Sequence, residues 1–447
     1  MIDFSLIILV PILIILSPVF NLLSFKLGEI DINLSDLILL ITIILFLVRY
    51  LFVFTSLKTN YFLSKINQNI LQYIVILFFT TFIYYLIISE DYIVAKLVSL
   101  TRFIIQIIIY YIISHKIPNN LQKIKNNYIY FNILGYLVLF SSWLSIFLFY
   151  FTGEKLGEIQ SNQNGVRYFG LIGDQLGFIG LIFIFISLMI GAKINAVIWG
   201  ITVIATGTRG AIISLVMGLI IYFLPKLPNF LKKNWSILAQ TNNLIIVLSL
   251  VLVYLIFYNY LHLQINLILE IFNNTLSRII NMLGDDFSGT QRKLTWQIAT
   301  NVFLNNPLIG VGYSGFRFVA LKYGAEELFT GYDVTNSTAN ASNQYLQVAT
   351  DAGLIGIMGF ISLFSSILKV LKIASYCPIP ELSKFFIAGR IWLWSLLIGN
   401  QTAAWFVPGS LISYLLWLIL GMAAATVATG SDVSQVTSQR KPINYRF

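Results

Sequence analysis

Residues 194–224 read "INAVIWGITVIATGTRGAIISLVMGLIIYFL". Two apolar runs, Ile194–Thr206 and Gly210–Leu224, are split by "TGTRG". The first run has 13 residues, which is about 20 Å of helix at about 1.5 Å per residue. A hydrocarbon core is about 30 Å thick. The pattern therefore predicts a helical hairpin that turns below a membrane surface. Irregular backbone at that depth has to lie inside protein or beside a wet cavity. Arg209 sits in the turn, and neither run carries an acid. A sunken guanidinium is costly unless it meets an anion. The plainer alternative is an arginine that reaches the headgroups or pairs with a distant acid.

The rest of the chain agrees with a membrane setting. Of its 447 residues, 58% are hydrophobic and only 10% are charged, with a mean hydropathy of +0.84. A soluble domain needs more polar surface than that. Ten longer apolar runs lie near residues 4–24, 34–54, 68–88, 92–114, 128–152, 174–192, 240–259, 346–371, 385–406 and 409–428. A span needs about 20 apolar residues, so with the hairpin the count is about twelve. The expected fold is all-α: a polytopic membrane protein with about 12 transmembrane helices and one long, partly helical extracytoplasmic loop. Residues 1–259 form membrane helices including the 194–224 hairpin. Residues 260–342 form the loop, 343–430 further membrane helices, and 431–447 a cytoplasmic tail. The stretch "MIDFSLIILVPILIILSPVF" carries Asp3 in place of a basic n-region, so it reads as a first span. No internal repeat is visible.

The net charge of +10 does not call for nucleic acid. Lys58, Lys123, Lys125, Lys232, Lys233, Lys369, Lys372 and Lys384 fall in alternate loops, and lysine-rich loops mark the cytoplasmic side. Both termini are then cytoplasmic, and the unusual features face outward. In the long loop Ile265, Ile268, Phe272, Leu276, Ile279 and Leu283 recur at helical spacing. A second short helix is predicted over "RKLTWQIATNVF", Arg292–Phe303, and "NNPLIGVGYSGF" then breaks helix with Pro307, Gly310 and Gly312.

Chemistry-bearing residues are few. The chain has two His and one Cys, Cys377, too few for a His/Cys zinc site. His115 lies beside Lys116 in a cytoplasmic loop, and His262 opens the outer loop. The pair Glu29 and Asp31 is a chance-level metal pattern, and Asp285 and Asp286 lie in the long loop. Lys96 is close enough to a span end to reach the headgroups, while Arg102 lies deeper. Arg167, Arg278, Arg292 and Arg317 join Arg209 on the outer side. Guanidinium groups hold their charge at any relevant pH and bind phosphate bidentately.

Three stretches carry a resemblance to the O-antigen ligase and O-antigen polymerase superfamily of bacterial membrane glycosyltransferases. "TGTRGAIISLVMGLI" is similar to that family's T-G-S-R-G-A. "RKLTWQIATNVFLNNPLIGVGYSG", Arg292–Gly315, is similar to its R…W..A…NPL-x-G-x-G. "NASNQYLQVATDAGLIG", Asn340–Gly356, is similar to its His, then Asn, Ser or Gln, nine residues, and Gly-x-x-Gly. The resemblance implies a metal-independent transfer without a cofactor. An oligosaccharide would pass from undecaprenyl pyrophosphate to a sugar hydroxyl on a lipid or a second glycan, at the outer face of the bacterial inner membrane. A chain-length regulator would be a further partner. Arg209 and Arg292 would hold the pyrophosphate, with Arg167, Arg102 and Arg278 as further candidates. A polymerase is favoured slightly over a ligase.

The family's His is Ser342 here, followed by Asn343. A hydroxyl has no useful pKa near neutrality, whereas His does. Ser342 also suits a helix N-cap. Asp351 would lie about 13 Å further along the helix on the opposite face. His262 or an acid of the long loop could fold in instead. A good leaving group could dispense with a strong base, since general acid–base help is worth about 10²- to 10⁴-fold. Reduced or altered activity is a third outcome. Outside the enzyme class, the alternatives are a polysaccharide transporter or flippase, with substrate bound at midplane, and an inactive assembly component. A metal-dependent transferase using Glu29 and Asp31 is a further alternative.

Overall fold

The structure, a computed structural model, describes residues 24–27, 30–33, 61–88, 93–116, 121–152, 158–162, 165–170, 175–206, 208–224, 287–324, 340–399, 406 and 410–429. The runs near 4–24, 34–54 and 240–259, the helix over 265–283, His262, Arg278 and the tail lie outside the described residues.

The architecture is helical, as expected. The helices are α1 (Tyr61–Ile88), α2 (Ile93–Lys116), α3 (Leu121–Thr152), α4 (Leu176–Ile190), α5 (Lys193–Ala205), α6 (Arg209–Phe223), α7 (Phe287–Asn305), α8 (Phe316–Val319), α9 (Gln344–Ala374), α10 (Pro380–Gly399) and α11 (Leu411–Thr429). Two short antiparallel hairpins join them. In one, β1 (Ser24–Leu27) pairs with β2 (Ile30–Asn33); in the other, β3 (Glu158–Asn162) pairs with β4 (Gly165–Gly170). Among the described residues five helices are long and apolar enough to cross a membrane, over residues 65–86, 124–145, 344–374, 380–399 and 412–429. The protein is a membrane protein by this measure and by its composition.

The helical hairpin forms as the sequence predicts, α5 and α6 meeting at "TGTRG". Thr206 Oγ1 donates to Val203 O at 2.7 Å and accepts from Thr208 N at 3.3 Å. That local side-chain bonding stabilises the turn. The apolar run over 385–406 is described as helix through Gly399. There the backbone of α10 comes so close to α6 that a Cβ would lie 2.8 Å from Ser214 N.

Side-chain contacts set the helix directions. α9 runs antiparallel to α1, with Tyr73 against Phe360 and Asn69 bonded to Ser366. α11 runs parallel to α2, with Ser413 bonded to Gln106 at 2.7 Å and Gly421 on Ile113. α10 runs antiparallel to α4, with Trp392 Nε1 donating to Phe178 O at 3.0 Å. Phe103, Phe385, Trp392 and Trp417 are fully buried between these pairs. Phe406 closes one side of the core against Tyr73, Phe103, Phe364 and Trp417. On α1 an outward stripe of Leu71, Val75, Phe78, Phe82 and Leu86 is exposed, the face a helix offers to hydrocarbon.

These directions give the bundle two unlike ends. The starts of α2, α4, α6, α9 and α11 share one end with the finishes of α1, α5 and α10. The other end carries the lysines of the helix starts and finishes: Lys65 of α1, Lys125 of α3, Lys193 of α5, Lys372 of α9 and Lys384 of α10. There Lys125 Nζ bonds Glu381 Oε1 at 3.0 Å.

Candidate active site

The lysine-poor end is built around the start of α9. Asn343 is its N-cap: Oδ1 accepts from Tyr345 N at 2.9 Å and Leu346 N at 3.2 Å. The capping role expected of Ser342 therefore falls to the next residue. Asn is as good a cap, and its longer side chain reaches both orphan N–H groups. Ser342 precedes the cap with φ 52°, and its N–H donates to Asn340 Oδ1 at 2.8 Å. Its side chain is half-buried.

α9 is broken at Gly353, with φ 62° and ψ −157°. Into the break the Pro307–Val311 segment inserts its backbone. Leu354 N donates to Pro307 O at 2.8 Å, and Val311 N donates to Thr350 O at 2.8 Å. The helix thus satisfies the backbone groups freed by its own interruption with those of a remote segment. Contact is too close for side chains. A Cβ at Gly353 would lie 2.4 Å from Leu308 O, and one at Gly310 (φ 65°) 2.4 Å from Thr350 O. The Gly-x-x-Gly and N-P-L-x-G-x-G stretches are one physical unit.

Two residues before the break Asp351 is buried, 3% exposed. It accepts from Gln347 Nε2 at 2.9 Å. The backbone N–H groups of Ser314 and Phe316 also face it, and the Lys96 charge offsets its own. Ser314 is left-handed with φ 57°, and Gly315 is right-handed; successive residues of opposite hand aim their N–H groups into an anion-binding nest. Lys96 does not reach out to headgroups. It is 2% exposed, donates to Val311 O at 3.0 Å and lies 4.5 Å from the Tyr84 ring centroid. Burial is tolerable because a carboxylate, a carbonyl and a ring face compensate the charge. Arg317 also leaves the solvent expected of a loop cation. It is 6% exposed, with Nη2 3.5 Å from Ser99 Oγ and its guanidinium 4.5 Å from the Phe318 ring centroid. Nearby, burial pushes the Tyr313 phenol well above its ordinary pKa.

α7, predicted over 292–303, spans Phe287–Asn305 and packs on α9. Trp296 Nε1 donates to Ser342 O at 3.4 Å. Arg292 is half-buried one turn earlier on the same face, within the reach of i, i+4 neighbours. Helix α7 thereby places Arg292 one turn from the residue that bonds the Ala341–Asn343 strap ahead of α9.

Arg209 is the first residue of α6. Among the described residues its N-cap, Thr208, makes no side-chain capping bond, and Thr208 Oγ1 is buried without a hydrogen-bond partner. An uncapped helix start favours an anion. Contacts run from this turn to Ser342 across the bundle end. Gly177 of α4 packs on Thr206 and Ala211, and Gln175 Oε1 accepts from Ser410 Oγ at 3.2 Å. Phe406 N donates to Gln344 Oε1 at 2.7 Å, and Tyr345 bonds Leu397 O.

Residues 194–361 match the family model described as O-antigen ligase. That match supports the O-antigen ligase and polymerase superfamily. It begins at the hairpin and ends just past the break in α9, so it contains Arg209, Arg292, Ser342 and Asp351. No curated protein matches the chain.

The remaining candidates fall on other elements. Arg102 is half-buried in α2. Arg167 is in β4, opposite Gln160 of β3, and Asp31 in β2 pairs with Lys26. Among the described residues no three His, Cys, Asp or Glu side chains gather as metal ligands. Gln347, Lys96 and Asp351 are site elements that the sequence pattern does not single out. The Gln347/Asp351 spacing of four was the available signal; nothing local pointed to Lys96.

Proposed function

We propose that the protein is a glycan transferase of the bacterial inner membrane. It moves an oligosaccharide from undecaprenyl pyrophosphate to a sugar hydroxyl at the extracytoplasmic face, without a metal. The acceptor oxygen bonds the anomeric carbon, and the bond from that carbon to the pyrophosphate oxygen breaks. The acceptor hydroxyl gives up its proton to solvent water, and undecaprenyl pyrophosphate leaves. Arg209, with the uncapped start of α6, and Arg292 on α7 hold the pyrophosphate and stabilise its growing charge. Such stabilisation is often the largest catalytic contribution. Ser342 and Asn343 border the acceptor side. Asn343 serves as a cap and Ser342 orients rather than deprotonates, because neither side chain is a base. The lysine-rich end faces the cytoplasm.

The observation that carries this reading is the family match over 194–361, coinciding with one bundle end that holds the Arg209 turn and the Trp296–Ser342 contact beside Arg292. The test is transfer in proteoliposomes supplied with undecaprenyl-pyrophosphate oligosaccharide, with products resolved by mass. Wild type extends or transfers the glycan, with and without chelator, and Arg292→Ala loses at least 100-fold, about the loss of one oxyanion-type donor. Translocation of the donor with no new covalent product would establish a transporter instead.

A further inference from the structure

We propose that Asp351 is a positioning residue for the transfer site, acting through Gln347 on the backbone at Ser342. The inference rests on the reading of Ser342 and Asn343 as the acceptor side.

The geometry is a two-bond relay. Gln347 Nε2 donates to Asp351 Oδ1 at 2.9 Å, while Gln347 Oε1 accepts from Ala341 N at 2.7 Å. Gln347 and Asp351 are 5% and 3% exposed, and Ala341 is fully buried. An amide has distinct donor and acceptor ends. A carboxylate at 351 only accepts, so it holds the NH₂ end of Gln347 toward itself. The oxygen end must then face Ala341. Were the amide reversed, two acceptors would meet at 351 and two donors at 341. The accepting Oδ1 of Asp351 thus selects one orientation of Gln347. That orientation anchors the residue before Ser342, whose left-handed backbone (φ 52°) is the strained step of the strap. The other end of the strap is fixed by Asn343 and Trp296.

Asp351 is itself held from three directions: by the backbone at Ser314 and Phe316, by Lys96 of α2, and by the break in α9 two residues on. The strap at Ser342 is therefore registered to the Pro307–Phe316 segment and α2 through one carboxylate. Asp351 does not touch substrate in this scheme.

Amide hydrogen exchange and transfer kinetics on the full chain test the relay. In Gln347→Leu the Ala341 amide exchanges about tenfold faster or more, the consequence of leaving a buried donor unmade. In the transfer assay kcat falls by a similar factor at unchanged donor KM, since the arginines on α6 and α7 are untouched. Gln347→Glu alone sets two carboxylates face to face, and Asp351→Asn alone releases the orientation of Gln347; both lower kcat. Combined, they remake the relay with its polarity reversed. The new carboxylate accepts from Ala341 N–H and from the new amide at 351. The double swap therefore recovers kcat to within about threefold of wild type, the size of one ordinary hydrogen bond. A structural spacer would show no such recovery. A swap no better than its worse single, or wild-type exchange at Ala341 in Gln347→Leu, overturns the relay. If wild type transfers no glycan, the proposed function fails, and the relay is judged on Ala341 exchange alone.

Discussion

Replacing Gly353 by Ala should separate the two halves of α9 from the segment that docks between them. The glycine sits at φ 62°, ψ −157°, a region that is essentially Gly-only and costs other residues about 1–3 kcal/mol. Its new Cβ would lie 2.4 Å from both C and O of Leu308. Those are backbone atoms pinned by the Leu354–Pro307 and Val311–Thr350 bonds, so they cannot swing aside. Overpacking of that kind costs about a further 1–3 kcal/mol. The expected destabilisation is therefore about 2–6 kcal/mol. The chain has one escape, which is to straighten α9 and expel the Pro307–Val311 segment. Denaturant unfolding in mixed micelles reads the loss, and amide exchange at Val311 and Leu354 reports the escape. Gly200→Ala is the control. It lies inside α5 with nothing within 4 Å of a built Cβ, so it should gain about 0.5–1 kcal/mol. Unchanged stability in Gly353→Ala, with both amides still protected, would refute the account of the break.

Lys96→Met removes the cation facing a buried carboxylate and should cost about 3–5 kcal/mol, with most of that recovered when Asp351→Asn is added; unfolding of the single and double variants decides it. Ser342→His should fold normally, because His tolerates the left-handed region better than most residues, and it should raise transfer by about 10²-fold or more if the site otherwise lacks a base. Cys377 is the sole cysteine and lies between α9 and α10 at the lysine-rich end. A membrane-impermeant maleimide should label it only from the cytoplasmic side. Burial pushes its thiol above the ordinary range, so the thiolate is scarcer at neutral pH and labelling should accelerate as pH rises beyond the usual thiol pKa.

Much of the architecture was legible because membrane helices announce themselves by length and hydropathy, and short breaks by Gly and Thr. The hairpin at "TGTRG", the helix around Arg292–Phe303 and the helix after Asn343 each follow from local composition. The arginines that would meet an anion were found by the same logic, since charge is conspicuous in an apolar chain. The errors share one physical origin. Lys96, Arg317 and Asp351 were read by their sequence neighbours, which made a headgroup contact, a solvated charge and a misplaced acid. Their actual partners lie 215 residues away for Lys96 and Val311, and 218 for Arg317 and Ser99. No periodicity records such a pairing. The sequence alone determined a helical membrane chain with an arginine-bearing turn at 206–210 and a Pro/Gly break of helix over 307–312. Only the tertiary structure decided that the run over 346–371 is interrupted at Gly353 and that the backbone of a remote segment fills the interruption. It also placed a buried carboxylate, compensated by a lysine from a third helix, to register that segment against the strap at Ser342. Local propensity sets where helices begin and break, whereas the satisfaction of buried charge and freed backbone groups depends on whichever elements the fold brings alongside.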